Sequence, residues 1–292
     1  MEDQNSLWWV MNPSGRGKVF ILRHYIDDSG GDQRAPSAVM GGPVFVEERY
    51  LKFECEWAHA LSFYQIEPPI HMKEFARPHG RLACLSDGER RVLFQDLVKI
   101  INQTELYSLT ASVDNIDFQH VFPHQKFRKR FSAIALAFLW CMILNYEIGK
   151  DHQGAIDGIS YFFSDSPINS QIIDCYSFFC EYEVLRELEI TEAIGHGRPK
   201  IFSGLQAADM IAWANRKKNL NEPFKEGFEP LELLTPHEPQ GFNRLGRTPI
   251  HMHYSVKNES TRELALILGE PKRQKGKREA LLPLIAQEAK TL

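Results

Sequence analysis

Four carboxylates stand where hydrophobic segments stop or enclose them. They are Asp27 in Tyr25-Ile26-Asp27-Asp28-Ser29-Gly30, Glu74 after Ile70-His71-Met72-Lys73, Asp165 in Phe163-Ser164-Asp165-Ser166-Pro167, and Asp209 in Leu205-Gln206-Ala207-Ala208-Asp209. Hard divalent cations such as Mg²⁺ or Mn²⁺ take oxygen ligands, and carboxylates from separate elements can converge on them. Two such ions can clamp the attacking and leaving oxygens of a phosphodiester, so the chemistry these residue types allow is metal-assisted hydrolysis. Asp209 is the most telling, because Leu205, Ala207, Ala208, Met210, Ile211, Ala212 and Trp213 make its surroundings apolar nearly all round. A carboxylate buried there must be paired, hydrogen-bonded or bound to a metal. Arg216 offers the ion-pair alternative, and Gln206, three residues earlier on the same face, can orient either arrangement.

Each of the other acids also has an ordinary reading. Asp-Asp-Ser-Gly-Gly is turn chemistry, in which side chains bond local backbone. Asp165 stands where a helix would be capped. His71 and Glu74 lie between Pro68-Pro69 and Pro78, and ligand, general base and surface loop are all open to His71.

The elements that must carry these residues can be read from periodicity. Val19 to Ile26 reads as a strand that runs into the polar, Gly-rich stop Asp27 to Asp32, placing the two aspartates at a strand's C-terminal end. Ala38 to Val46 reads as a second strand, in an antiparallel hairpin with the first. Glu47 to Tyr64 reads as a helix, acidic at its start and with Leu51, Phe53, Trp57 and Leu61 at roughly helical spacing. Ser86 and Glu89 form a capping-box pattern ahead of another helix. Leu106 to Val113 is a third strand, Phe131 to Tyr146 a buried helix, Ile159 to Phe163 a fourth strand, Ile168 to Leu188 a long helix and Glu189 to Ala193 a fifth strand. Ser203 to Ala214 is a helix with Ser203 as its candidate cap. Strands and helices interleave, which predicts an α/β domain over residues 1–220, with a C-terminal extension over 221–292 ending in a basic tail.

Composition narrows the class. The chain has 292 residues, 43% hydrophobic and 25% charged, which is ordinary globular usage. A net charge of −4 provides no global field for a polyanion, so nucleic-acid contact would have to come from Arg128-Lys129-Arg130, Arg216-Lys217-Lys218 and the run Lys272 to Arg278. Five cysteines without a C-x-x-C pair predict buried, reduced thiols in a cytoplasmic protein. The start of the chain lacks the basic-then-apolar order of a signal peptide, and the apolar run from Phe131 to Leu144 is shorter than the roughly 20 residues a bilayer requires, so no membrane is expected. His251-Met252-His253 is an alternating histidine pair in an extended segment and is read as incidental rather than as a structural zinc site.

The ordered combination resembles a known family. A strand ending in Asp-acidic-Ser-Gly, a later His-x-x-Glu, a strand ending in Asp, and Leu-Gln-x-Ala-Asp on a helix are similar to the uncharacterised domain family numbered 3800, over about Lys18 to Lys218. That resemblance implies a ribonuclease-H-like mixed sheet of about five strands flanked by helices, and a suspected nuclease of bacterial mobile elements or antiviral defence loci. It implies Asp27, Glu74, Asp165 and Asp209 as the catalytic and metal-binding set with Mg²⁺ or Mn²⁺. Asp28 stands where many relatives have Glu, and Ser29, His71, His196, Lys200 and Gln206 are the supporting or substrate-contacting candidates. His196 and Lys200 fall in a small polar loop, Gly195 to Lys200, ahead of the last helix. The expected function is thus metal-dependent phosphodiester hydrolysis of nucleic acid. The alternatives are a non-catalytic binding or scaffold subunit, which docks a partner protein or a second copy through the extension, and a phosphohydrolase of small nucleotides.

Overall fold

Strand β1 (Ile21–Ser29) alternates between two hydrophobic cores. Leu22 and Ile26 point into one and Tyr25 into the other, as the period-two geometry of a strand requires. Such a strand is covered on both faces, and its neighbours read accordingly: all nine residues of β2 (Ser37–Phe45) are buried. The computed structural model describes residues 21–30, 35–76, 80–121, 132–150, 158–167, 169–180, 191–224, 228 and 250–256.

These residues form an open, mixed α/β sheet. The further strands are β3 (Tyr107–Asp114), β4 (Gly158–Ser164), β5 (Thr191–Gly197) and β6 (Ile250–Val256), and the order across the sheet is β5-β4-β1-β2-β3-β6. Among the described strands β2 alone runs antiparallel, and β1, β3, β4, β5 and β6 share one direction. Their C-terminal ends consequently lie along one edge, which is where ligands gather in open α/β sheets.

Helices cover both faces. The chain supplies α1 (Glu47–Phe63), α2 (Met72–Ala76), a 3₁₀ turn at Gly80–Cys84, α3 (Asp87–Thr104), α4 (Asn115–Val121), α5 (Ala133–Lys150), α6 (Asn169–Cys180) and α7 (Ser203–Asn219). One core packs α5 against Leu22, Ile26, Tyr161 and Phe163. From Ala133 to Tyr146 every residue of α5 is buried, so this stretch has no polar face to show. The other core gathers α1, α3 and α7 around Tyr25, Phe45 and Phe162. Among the described residues no helix is long and apolar enough to cross a membrane.

Helix α7 comes unusually close to the sheet because the residues facing it are small. A Cβ at Gly204 would fall 2.4 Å from the Tyr25 ring, and one at Gly42 would fall 2.6 Å from Ala208 Cβ. The Tyr25 ring stacks on Tyr50 and Phe162, with centroids 4.7 and 5.2 Å away, and cannot retreat. These contacts fix the height of α7 above β1, and with it the position of Asp209.

Several boundaries differ from expectation. The fifth strand runs from Thr191 to Gly197, so Gly195 and His196 belong to the sheet rather than to a loop. Ser203 is the first residue of α7 and not its cap; Phe202 holds the cap position without a side-chain bond. Among the described residues the sheet has six strands, and the sixth comes from within the segment read as an extension. Phe228, from the same segment, is buried in the core beneath α3. Cys55 and Cys84 are exposed thiols, whereas Cys141 is buried as expected. The capping box of α3 forms as read: Glu89 donates its amide to Ser86 Oγ and Ser86 donates its amide to Glu89 Oε2. The basic clusters at 128–130 and 272–278 lie outside the described residues.

Candidate metal centre

Alternation along β1 separates the two neighbouring aspartates. Asp27 follows Tyr25 onto the α7 face, while Asp28 pairs with Met40, a residue of the α5 core, and points to the opposite side. Asp28 nevertheless contributes its backbone: its N–H donates to Asp27 Oδ1 at 2.9 Å. Ser29 ends the strand, half-buried.

Asp209 meets Asp27 from α7. Burial pushes the Asp27 carboxyl well above its ordinary value of 3.8, and the charges of Asp209 and then Asp28 push it the same way. The amide of Asp28 and the hydroxyl of Ser164 pull in the other direction and do not restore it. Ser164 is the last residue of β4, and its Oγ is buried without a well-formed hydrogen bond of its own. A buried acid that feels the charge of a second acid favours a proton or a nearby cation.

The third wall is the segment ahead of α2. Met72 donates its backbone N–H to Asp209 Oδ2 at 2.9 Å, and His71 Nδ1 stands 3.5 Å from the same oxygen. The Asp209 side chain is 20% exposed and that of His71 37%, so His71 sits at the rim. The ion-pair alternative for Asp209 is not what forms here: the acid is held by Met72 and His71, and Arg216 Nε is buried against the turn at Gly30 without a hydrogen-bond partner.

Gln206 holds this wall in place. Its Oε1 accepts from Trp57 Nε1 at 3.3 Å and from the Ile70 amide at 3.1 Å, and its Nε2 donates to the Pro199 carbonyl at 2.8 Å. With every polar atom used and 1% exposure, Gln206 is a structural clamp joining α1, the His71 segment and the chain before α7. It leaves no group free for substrate.

The remaining candidates are distributed differently. Glu74 lies two residues after Met72 and is buried; its Oε2 has no hydrogen-bond partner, and Oε1 packs against Gly80, where a Cβ would come within 2.9 Å. Asp165 turns to His196, whose Nδ1 is 2.5 Å from Oδ1, and Arg198 Nε lies 4.0 Å from Oδ2. The His196 ring packs 6.0 Å from Phe163, on the α5 side of the sheet and away from Asp209. Lys200 is exposed in the turn before α7. Among the described residues no three His, Cys, Asp or Glu side chains stand close enough together to hold one ion by themselves. The structure therefore places Asp209 between Asp27 on one side and His71 on the other, leaves Glu74 in the adjoining segment, and gives Asp165 and His196 to each other.

Sequence reasoning missed the Met72 amide and the Ser164 hydroxyl. The first carries no side-chain signal, and the second adjoins Asp165 in a motif where the acid drew the attention. Comparison with protein-family models, with curated proteins and with solved structures found no match to this chain.

Proposed function

We propose that the protein is a divalent-metal-dependent nuclease whose centre is the Asp27–Asp209 pair. The observation that carries this reading is that two acids from separate elements face the same site, one at the end of a central strand and one in the apolar stretch Leu205 to Ala214 of α7. Mg²⁺ commonly takes one or two carboxylates and completes its shell with water and substrate phosphate oxygens, so a two-acid anchor suffices. Bound there, the ion would neutralise both acids and polarise a phosphodiester. Asp27 and Asp209 would hold it, the Asp28 amide would orient Asp27, and the Met72 amide would orient Asp209. His71, at the rim, is placed to exchange a proton with solvent or with a leaving oxygen.

The strand order supports a ribonuclease-H-like fold and, with it, the family resemblance: β1, β2 and β3 form an antiparallel meander, and β4 and β5 extend the other side of β1 in parallel. On that reading Glu74, one turn along the chain from His71 and with Oε2 lacking a hydrogen-bond partner, is the candidate third acid. The test is cleavage of DNA and RNA in Mg²⁺ or Mn²⁺ by wild type, Asp27→Asn and Asp209→Asn. Wild type cuts and both variants fall by a hundredfold or more; absence of cleavage by wild type, or normal cleavage by both variants, overturns the proposal.

A further inference from the structure

A cavity of about 330 Å³ lies between α2 and the second half of α7, lined by Met72, Phe75, Trp213, Lys217, Phe224 and Phe228 among others. Met72, whose amide holds Asp209, is also a lining residue of the cavity. Asp209, Trp213 and Lys217 follow one another at intervals of four residues along α7, about 6 Å apart along its axis. Trp213 and Phe224 have ring centroids 5.6 Å apart at 59°. Lys217 Nζ lies 5.4 and 5.8 Å from those two centroids, where the Pro223 carbonyl accepts from it at 2.9 Å and Glu222 Oε2 stands 3.6 Å away.

We infer that this cavity seats one base of a single-stranded nucleic acid whose adjacent phosphate lies at Asp27 and Asp209, an inference that rests on the phosphodiester reading above. The volume is at the small end of ligand pockets, enough for a flat heterocycle but not for an extended chain. The walls are aromatic, and aromatic faces hold bases by stacking. The cation is two turns from the acids, where a neighbouring backbone phosphate would pass. Apart from the Lys217 ammonium and the Trp213 indole N–H, the lining among the described residues carries no polar side-chain group to read a base edge, so recognition tolerates every base. A base paired inside a duplex cannot enter such a pocket without leaving the stack, which makes single strands the preferred substrate.

The test is fluorescence anisotropy with labelled oligothymidylate in Ca²⁺, with the matching duplex and thymidine monophosphate as competitors. Wild type binds the single strand at least tenfold more tightly than the duplex, and Trp213→Ala weakens it by roughly ten- to a hundredfold. Trp213→Phe keeps a stacking ring and stays within a few-fold of wild type, which separates lost stacking from lost folding. Unchanged affinity in folded Trp213→Ala, or a duplex bound as tightly as the single strand, overturns the inference; so does a monophosphate that competes as well as the oligonucleotide. Cleavage lost in Asp27→Asn with binding unaffected by Trp213→Ala sinks the pocket and keeps the nuclease. The reverse pattern, stacking-dependent binding without any cleavage, keeps the pocket and sinks the nuclease.

Discussion

Asp27→Asn should make the metal-free protein more stable and the metal-loaded protein less so. In wild type, burial and the neighbouring charges of Asp209 and Asp28 oppose ionisation of Asp27. Asparagine keeps the oxygen that accepts the Asp28 amide at 2.9 Å, and it puts an N–H₂ donor where Ser164 and Asp209 can accept. Replacing a strained site acid by its neutral isostere typically adds about 1–2 kcal/mol. For a chain of this size that is roughly 2–8 °C in Tm, measured in chelator at pH 7. The sign with pH follows from the raised carboxyl. Because its folded value lies above 3.8, wild type suffers no penalty below that pH, loses stability as pH rises through the folded value, and is level above it. The gap between variant and wild type should therefore close in acid. Mn²⁺ at about a hundredfold its Kd adds about 2.7 kcal/mol to wild type and little to the variant, so the order of the two melting temperatures reverses. Scanning calorimetry of both proteins, with and without Mn²⁺ at pH 4 and pH 7, reads all of this. If the variant is no more stable than wild type in chelator at pH 7, the acid pair is not coupled as described.

Gln206→Ala removes hydrogen bonds to Trp57, Ile70 and Pro199 and leaves their buried groups unpaired; a loss of about 2–4 kcal/mol is expected by denaturant titration, and a loss under 1 kcal/mol would refute the clamp. Gly204→Ala forces a methyl into the Tyr25 ring and lifts α7 from β1, so both stability and cleavage should fall, by at least about 1–3 kcal/mol in stability. Normal cleavage in that variant would show that Asp209 does not depend on the close approach. Burial pushes the Glu105 carboxyl up to about 8, with the Ser108 hydroxyl opposing. Its contribution is complete below its ordinary 4.5 and lost as pH rises through about 8, so Glu105→Gln should flatten the fall in Tm between pH 5 and pH 9, and parallel curves would contradict the assignment.

The legible part of the fold was the part written in local periodicity. Alternating and continuous apolar runs marked β1 to β4, the uninterrupted apolar stretch marked α5, and Ser86 with Glu89 marked the start of α3. Where a strand has few β-branched or aromatic residues, as in Glu192-Ala193-Ile194-Gly195-His196, local pattern failed and the boundary slipped by several residues. Strand β6 was read only as an extended segment: Ile250, Met252, Tyr254 and Val256 alternate with polar residues, but its place in the sheet depends on β3, a partner far away in sequence.

The site divides along the same line. The sequence by itself determined that Asp27 lies at the end of a strand and that Asp209 lies in the apolar stretch of a helix, because the hydrophobic residues around them fix those elements. Which acids meet was settled by the tertiary structure alone. Strand alternation turned Asp28 away from Asp27, the small residues of α7 let Asp209 come down to the sheet, and a short strand end gave Asp165 to His196. Gln206, read as a residue that orients Asp209 or as a supporting or substrate-contacting one, is the clamp because three distant groups converge on it. Side-chain identity sets what chemistry is possible, but the distance between two charges depends on packing between elements, and that information is spread over every residue of both cores.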